Sequence, residues 1–559
     1  MKETYIALME RTLSAYSEAH IKRYFNDVQE NGLKEHGFPR LTANIGILIA
    51  HGRRRDLKPI FLEMMEFCCK TIPVVKAAND FSVREIICCL REVEENHVAD
   101  EETLARWKAY LSSIDPETCY TRFARTPTDN VKNWALFTGV SEFFRKQAGL
   151  GGSDEFIDIQ LASQLQWLDE NGMYMDAEGE THHPMVYDLV PRGLFAAVLT
   201  EGYRGKYYGQ IDEALKRAGM LTLLMQSPNG EHPFGGRSNQ FIHNETWMSA
   251  VYEYEAARYA REGNFALAGE FKAAIKRAVA VITEWLSMEP IYHVKNRFPL
   301  ETGYGCEDYA YFDKYMITVA SNLYAAYLMC DDSIPAADTE DDQPAVFATS
   351  SHFHKVFLKA GGYGLEFDYD ADPHYDANGL GRVHRKGAPA ALCLSVPCSA
   401  TPDYKVDIAK PAALSLSSAV MVDGSWHFAV DAKAEYTLKA LQKDDTKAYC
   451  DWNIRFPEGI AVSEKYQVSS KGVVIEITGE GEIGYLLPAF SFDGETHTAV
   501  VQDKNVLTVL YKGWTCRYTV DGEITETNRI SANRNGHYKA YLATAKDNLK
   551  IVIELLEEK

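Results

Sequence analysis

Near residue 340 the spacing of apolar residues changes, and that break constrains the fold more than any other feature of the chain. Before it, apolar residues recur every three or four positions, as in Ile211, Leu215, Ala218 and Leu221, which share one helical face. After it they form short runs bounded by Gly, Asp and Asn. These are Val356-Phe-Leu-Lys, Ala391-Leu-Cys-Leu-Ser-Val, Val473-Val-Ile-Glu-Ile, Val506-Leu-Thr-Val-Leu-Tyr and Leu549-Lys-Ile-Val-Ile-Glu-Leu, and they read as strands. The stretch from Ala336 to Pro344 is acidic and helix-breaking. A chain of 559 residues exceeds one ordinary core. The expected division is a helical domain over 1–335, a linker over 336–344 and a β domain over 345–559.

Periodicity predicts twelve helical segments before the break. They begin near Tyr5, Leu41, Leu57, Ser82, Glu102, Asn130, Glu155, Tyr187, Tyr207, Asn244, Phe265 and Asp308. Twelve helices joined by alternating short and long connections form six hairpins, which can close into a ring with a funnel at one end. No internal repeat points to a solenoid instead. Many strands without an intervening helix indicate an antiparallel sandwich. The predicted class is thus α+β and multidomain, an (α/α)6 toroid followed by an antiparallel β-sandwich.

Charge and motifs exclude several functions. A net charge of -21 offers no basic surplus to neutralise phosphates, so no nucleic-acid partner is expected. The first helix carries charges throughout, unlike a signal peptide, and no stretch is long enough for a bilayer span, so no membrane partner is expected. Eleven cysteines, with vicinal pairs at Cys68-Cys69 and Cys88-Cys89 in apolar helical stretches, read as reduced buried thiols and point to the cytoplasm. The pairs His182-His183 and His352-Phe-His354 lack zinc-motif spacing, so no metal is expected. No phosphate loop, dinucleotide fingerprint or nucleophile elbow occurs, and no cofactor is expected.

The densest chemistry lies between two amphipathic helices, from Gly230 to Trp247. This connection gathers carboxylates, imidazoles, a guanidinium, amides and aromatic rings on backbone freed by Gly235-Gly236. A loop that only joined packed helices would be a few turn-forming residues. Rings to stack on and many donors and acceptors suit a carbohydrate.

Hydrolysis of a glycosidic bond needs an acid and a second carboxylate. Asp176 and Glu245 are the first candidates, with Glu231 a third. Each has a plainer reading: Glu245 as a first-turn acid favoured by the helix dipole, Asp176 and Glu231 as turn residues. Glu307 and Asp308 read as caps of the last helix, with Tyr309 a lining group. Arg237 can hold a uronate carboxylate through paired hydrogen bonds, or else hold loop carbonyls; Arg192 is the second choice. Trp134 and Trp247 can stack on sugars or belong to the core. His243 orients an acid or is a satisfied polar group. In the β domain, His374, Arg382, His384 and Arg385 either reach over the funnel or are solvated strand charges.

The order Asn133-Trp-Ala-Leu-Phe137, Gly172-Met-Tyr-Met-Asp176, Pro184-Met-Val-Tyr-Asp188, Gly235-Gly-Arg-Ser238 and Cys306-Glu-Asp-Tyr-Ala-Tyr-Phe-Asp-Lys-Tyr315 resembles bacterial toroid-plus-sandwich enzymes acting on uronic-acid glycans. The likeness is to glycoside hydrolase family 154, with β-glucuronidase activity, and in architecture to heparinase II/III-like polysaccharide lyases. It covers about Asn130 to Tyr315, and the sandwich more loosely through Tyr375-Asp-Ala-Asn-Gly-Leu-Gly-Arg382. The first likeness implies a hydrolase releasing glucuronic acid from oligosaccharides. The second implies β-elimination, with an Asn and a His on the substrate carboxylate and a Tyr or His as base; Asn133, His183 and Tyr187 are the nearest matches. A non-catalytic glycan-binding protein is the third reading. The expected partner is a uronic-acid oligosaccharide, with self-association of the chain an open alternative.

Overall fold

The computed structural model describes residues 1–176, 185–337 and 343–558. Its helices run in order as α1 (Lys2–Leu13), α2 (Glu18–Asn31), α3 (Gly37–Ala50), α4 (Lys58–Thr71), α5 (Val83–Glu95), α6 (Glu101–Ser112) and α7 (Pro116–Cys119). There follow α8 (Trp134–Gln147), α9 (Asp154–Leu165), α10 (Met185–Thr200), α11 (Tyr208–Met225), α12 (His243–Arg261), α13 (Phe265–Leu286) and α14 (Phe312–Met329).

Six of these close a ring: α3 packs on α5, α5 on α8, α8 on α10, α10 on α12, α12 on α14, and α14 back on α3. The ring helices are buried on nearly all sides. In α3 every residue from Gly37 to Ile49 is buried, as expected of a helix surrounded by others. The remaining longer helices show one-sided burial. Helix α2 buries only Ile21, Phe25 and Val28. Periodicity missed it because polar residues dominate the stretch, although Ser17 caps it by accepting from the His20 N–H at 3.1 Å.

The β domain begins with β1 (Ala345–Ala348), β2 (Lys355–Ala360), β3 (Tyr363–Asp368) and β4 (Gly379–Arg385), which form a four-stranded antiparallel sheet in that order. Then come β5 (Ser418–Val422), β6 (Ser425–Phe428), β7 (Glu435–Lys443), β8 (Ala448–Arg455), β9 (Ala461–Ser469) and β10 (Gly472–Phe492). The last are β11 (Ala499–Asp503), β12 (Val506–Tyr511), β13 (Trp514–Val520), β14 (Glu523–Asn533) and β15 (Gly536–Glu557). Strands β5–β15 make the second, eleven-stranded sheet, held by the long β10–β15 pairing. A register shift between Thr478 and Glu482 lets one half of β10 pair with β9 and the other with β5.

The run at Ala391–Val396 is not a strand: Ala390–Leu392 is a single 3-10 turn. Leu392 to Val396 are buried, and a short apolar run does not reveal its backbone shape.

The small sheet lies between the large sheet and the toroid. Apolar residues of β2–β4, including Leu358, Leu365 and Val383, join the same core as Cys450, Trp452 and Ile475 of the large sheet. The alternate positions turn to the toroid. Phe357 packs with Met173, Met185 and Met225. Lys355, Glu366, Asp368, Arg382 and His384 are buried there as well. Arg382 and His384 are therefore not solvated strand charges: the face that alternation leaves polar is covered by the loop after α11.

Candidate active site

A cavity of about 330 Å³ opens at one end of the ring. Each of the six ring helices contributes from its first turns or the residues just before it. His36 and Arg40 come from α3, Phe81 precedes α5, and Asn133, Trp134 and Phe137 open α8. Tyr187 and Val190 belong to α10, His243 and Trp247 to α12, and Lys314, Tyr315 and Thr318 to α14. Helix starts carry unpaired N–H groups and partial positive charge, so their convergence favours an anionic ligand.

Most of the expected residues meet here. Asn133, Trp134, Asp176, Tyr187, Arg237, His243, Trp247 and Tyr309 all line the cavity. Trp247 forms a wall, its ring packed where Gly193 of α10 lacks a side chain; a Cβ there would lie 2.3 Å from the indole. Residue His183 lies outside the described residues.

The backbone around the cavity is unusual. Asp176, Ser238 and Gln240 hold φ of 53°, 65° and 58°, and Gly235 and Gly236 also have positive φ. Non-glycine residues in this region cost free energy and gather at functional sites. Across the domain boundary Asp376, within the quoted Tyr375–Arg382 stretch, accepts the Gly236 N–H at 2.8 Å and so fixes the loop just before Arg237.

Arg237 is the central cation. Its guanidinium lies 5.0 Å from the Tyr187 ring and 5.9 Å from the Tyr309 ring. No ion pair to an acid is formed among the described residues, and its buried Nε has no hydrogen-bond partner. Ser238 Oγ lies 2.8 Å from the Tyr309 hydroxyl and 3.5 Å from the Tyr187 hydroxyl. Burial raises the pKa of Tyr309 and Tyr315.

Asp176 is the only carboxylate lining this cavity among the described residues. Its Oδ1 accepts from Asn133 Nδ2 at 3.0 Å. Burial pushes its pKa up to about 6, against the lowering pull of Lys132, Arg237 and the Asn133 hydrogen bond. Burial, reinforced by Arg40, holds His243 down at about 3, a neutral imidazole near pH 7.

Glu245, Glu231 and Arg192 fall elsewhere. Glu245 is fully buried and pairs with Lys295 at 2.7 Å while accepting the His232 N–H at 3.1 Å. Burial would raise Glu231, but Lys295, His384 and Arg382 outweigh it and hold the acid at about 2. Arg192 pairs with Asp188 one helical turn earlier and donates to Thr222 Oγ1 at 2.8 Å. Asp188 in turn accepts the Tyr174 N–H at 2.8 Å, which anchors the segment leading to Asp176.

Tyr315, Arg40, His36 and Lys314 also line the cavity and were not singled out from sequence. Tyr315 ends the Cys306–Tyr315 stretch, so its motif was visible while its role was not. Arg40 donates to Glu85 at 2.9 Å and to Thr318 at 2.8 Å, contacts far apart in the chain. Beside the cavity runs an open trough of about 520 Å³ lined by Lys76, Arg122, Arg125 and Lys132. The Arg122 guanidinium lies 5.1 Å from the Trp134 ring, and Lys132 belongs to both hollows.

No protein-family model matches the chain, and no curated protein matches it in sequence. Among solved structures, it is similar to a heparan sulfate lyase mutant from Pedobacter heparinus, with 10% identity and a TM-score of 0.53. That match covers 93% of this chain and 77% of the lyase. It is also similar to a heparinase III at 11% identity and a TM-score of 0.52, with 93% of this chain and 78% of the other covered. The likeness is one of fold, a helical toroid followed by a β-sandwich. All eleven cysteines are free, and no helix among the described residues is long and apolar enough to cross a membrane.

Proposed function

We propose that the protein is an enzyme that cleaves uronate-containing glycans by β-elimination in the toroid cavity. The observation that carries this reading is Arg237, a cation without an acid partner among the described residues, set against two phenols near the helix starts. In this reading Arg237 and Asn133 hold the carboxylate on C5 of the sugar, which makes the C5 proton more acidic. Tyr187 takes that proton as its own hydroxyl proton passes to the Asp176 carboxylate. The C5–H electrons form the C4–C5 double bond, the C4–O bond breaks, and Asp176 gives its proton to the leaving oxygen. Both groups are then back in their starting protonation states. Negative charge that develops at the carboxylate meets a fixed guanidinium in a partly enclosed site. The cationic trough at Arg122 supports a chain of anionic sugars as substrate, running outward past Trp134.

A second reading rests on Asp176 alone. A carboxylic acid held at about 6 suits a general acid near neutral pH, as in an exo-β-glucuronidase of the family 154 type. Hydrolysis requires a second carboxylate, for which Glu178 and Glu180 lie in the stretch 177–184, outside the described residues. One assay separates the two. Digestion of a glucuronate oligosaccharide in 18O water is expected to give a product with new ultraviolet absorbance and no label. A saturated, labelled glucuronic acid without absorbance would overturn elimination in favour of hydrolysis.

A further inference from the structure

Arg237 and Tyr187, which elimination needs in register, hang from one peptide unit, the one joining Gly235 to Gly236. Its N–H donates to Asp376 Oδ2 at 2.8 Å, and its carbonyl accepts the N–H of Met185, the first residue of α10, at 3.1 Å. Arg237 is the next residue along the loop, and Tyr187 stands two residues further into α10. A peptide whose N–H is held by a carboxylate has a more negative carbonyl oxygen, so the two bonds strengthen each other. The Met185 N–H would otherwise be one of the unpaired donors of a helix start.

Glycine at both residues is what lets the unit sit there. Gly235 and Gly236 hold φ of 137° and 71°. A Cβ on Gly235 would lie 3.1 Å from Lys355 Cε and 3.1 Å from Met185 Cγ, closer than ordinary contact. The acid that holds the unit comes from the β domain. Asp376 sits in the connection from β3 to β4 and is 3% exposed, and its other oxygen, Oδ1, has no hydrogen-bond partner. It does not line the cavity. A carboxylate so buried is costly to keep, and the bond it makes is to the peptide beside Arg237.

We propose that Asp376 is a positioning residue of the funnel. By holding the Gly235–Gly236 peptide it keeps Arg237 and the α10 start that bears Tyr187 in one arrangement, with the guanidinium 5.0 Å from the ring. The β domain thereby takes part in turnover without touching substrate. What the two groups do rests on the elimination reading; what holds them rests on the hydrogen bonds alone.

Two measurements on the full chain test this. In amide hydrogen exchange, Asp376→Ala should speed exchange about tenfold or more in both segments 185–190 and 234–238. Asp376→Asn, which keeps an acceptor oxygen, should stay within about threefold of the parent. In cleavage of a glucuronate oligosaccharide, Asp376→Ala should lower kcat/KM about tenfold or more per folded molecule. That factor should shrink about threefold or more when Arg237 is already alanine, because the two substitutions then remove one shared interaction. Asp376→Ser, too short to reach Gly236, serves if the alanine variant does not fold. Unchanged exchange in either segment, a loss that does not shrink in the Arg237→Ala background, or an asparagine variant as poor as alanine overturns the proposal. Faster exchange in both segments of a protein whose turnover Arg237→Ala does not affect would overturn the funnel reading and leave the clamp standing.

Discussion

The connection from Gly230 to Trp247 serves two regions that treat charge in opposite ways. On the seam side, buried ions are matched: Glu245 with Lys295 at 2.7 Å, Arg382 with Glu366 at 2.9 Å, and Lys355 with Asp368 at 2.9 Å. On the funnel side, among the described residues, Arg237 has rings instead of an acid, and Asp176 accepts from the neutral amide of Asn133. Burying matched charges yields a firm joint, since removal of either partner strands the other. Leaving charges unmatched costs stability and keeps them available to a ligand. The contrast therefore assigns structure to one side and chemistry to the other, although both sides draw on the same stretch of chain.

The largest effect expected from that division is catalytic. Tyr187→Phe should lower turnover about 100- to 10,000-fold while the melting temperature stays close to that of the parent. Turnover that survives would show that the funnel's phenol is a wall and not a reactant. The seam should respond in the reverse sense. Glu245→Gln leaves Lys295 without its counter-ion and should cost about 3–5 kcal/mol in denaturant unfolding, with turnover per folded molecule preserved. An unaltered unfolding curve with lost turnover would break the comparison outright.

Asp176 should show both behaviours at once. Its folded pKa, about 6, lies above the ordinary Asp value of 3.8, so the folded chain binds this proton more tightly than the unfolded chain. Stability from this group is present at low pH and lost as pH rises through about 4 to 6, by about 3 kcal/mol in all. Asp176→Asn should erase that slope, raise the melting temperature at pH 7.5 and abolish turnover. A parent protein whose stability does not fall over this pH range would remove Asp176 as a strained acid. The smallest effect is expected at Arg237. Arg237→Ala should cost about 1.5–3 kcal/mol in kcat/KM on a glucuronate oligosaccharide, with little change in unfolding. A similar loss on a neutral glycan would mean that the guanidinium shapes the loop and does not read the carboxylate.

The sequence carried the fold well because two periods are hard to confuse over long stretches. Where a single element decided the matter, it did less well. Helix α2 hides its Ile21–Phe25–Val28 stripe among charges, and the Ala391–Val396 run is apolar without being extended. For the site, the residues near Gly235 and before α8, α10 and α12 were legible as a group because local motifs hold them. Glu245 could not be separated from a catalytic acid by local reasoning. The partner that explains it, Lys295, is fifty residues away in sequence. The same holds for Arg382 and His384: alternation showed one face of the small sheet to be polar, but not that a second domain would cover it.

The ring of inner helices has a consequence for how the chain is made. Helix α3 is buried from Gly37 to Ile49, yet one of its two ring neighbours is α14, through contacts such as Asn44 to Ser321 at 3.0 Å and Arg40 to Thr318 at 2.8 Å. A ribosome adding about 5–20 residues per second leaves that flank open for on the order of 10–50 s after α3 emerges. During this interval the growing chain is an arc with two sticky ends, and a neighbouring nascent arc offers the same surfaces. Closure by α14 is what covers those surfaces within one chain.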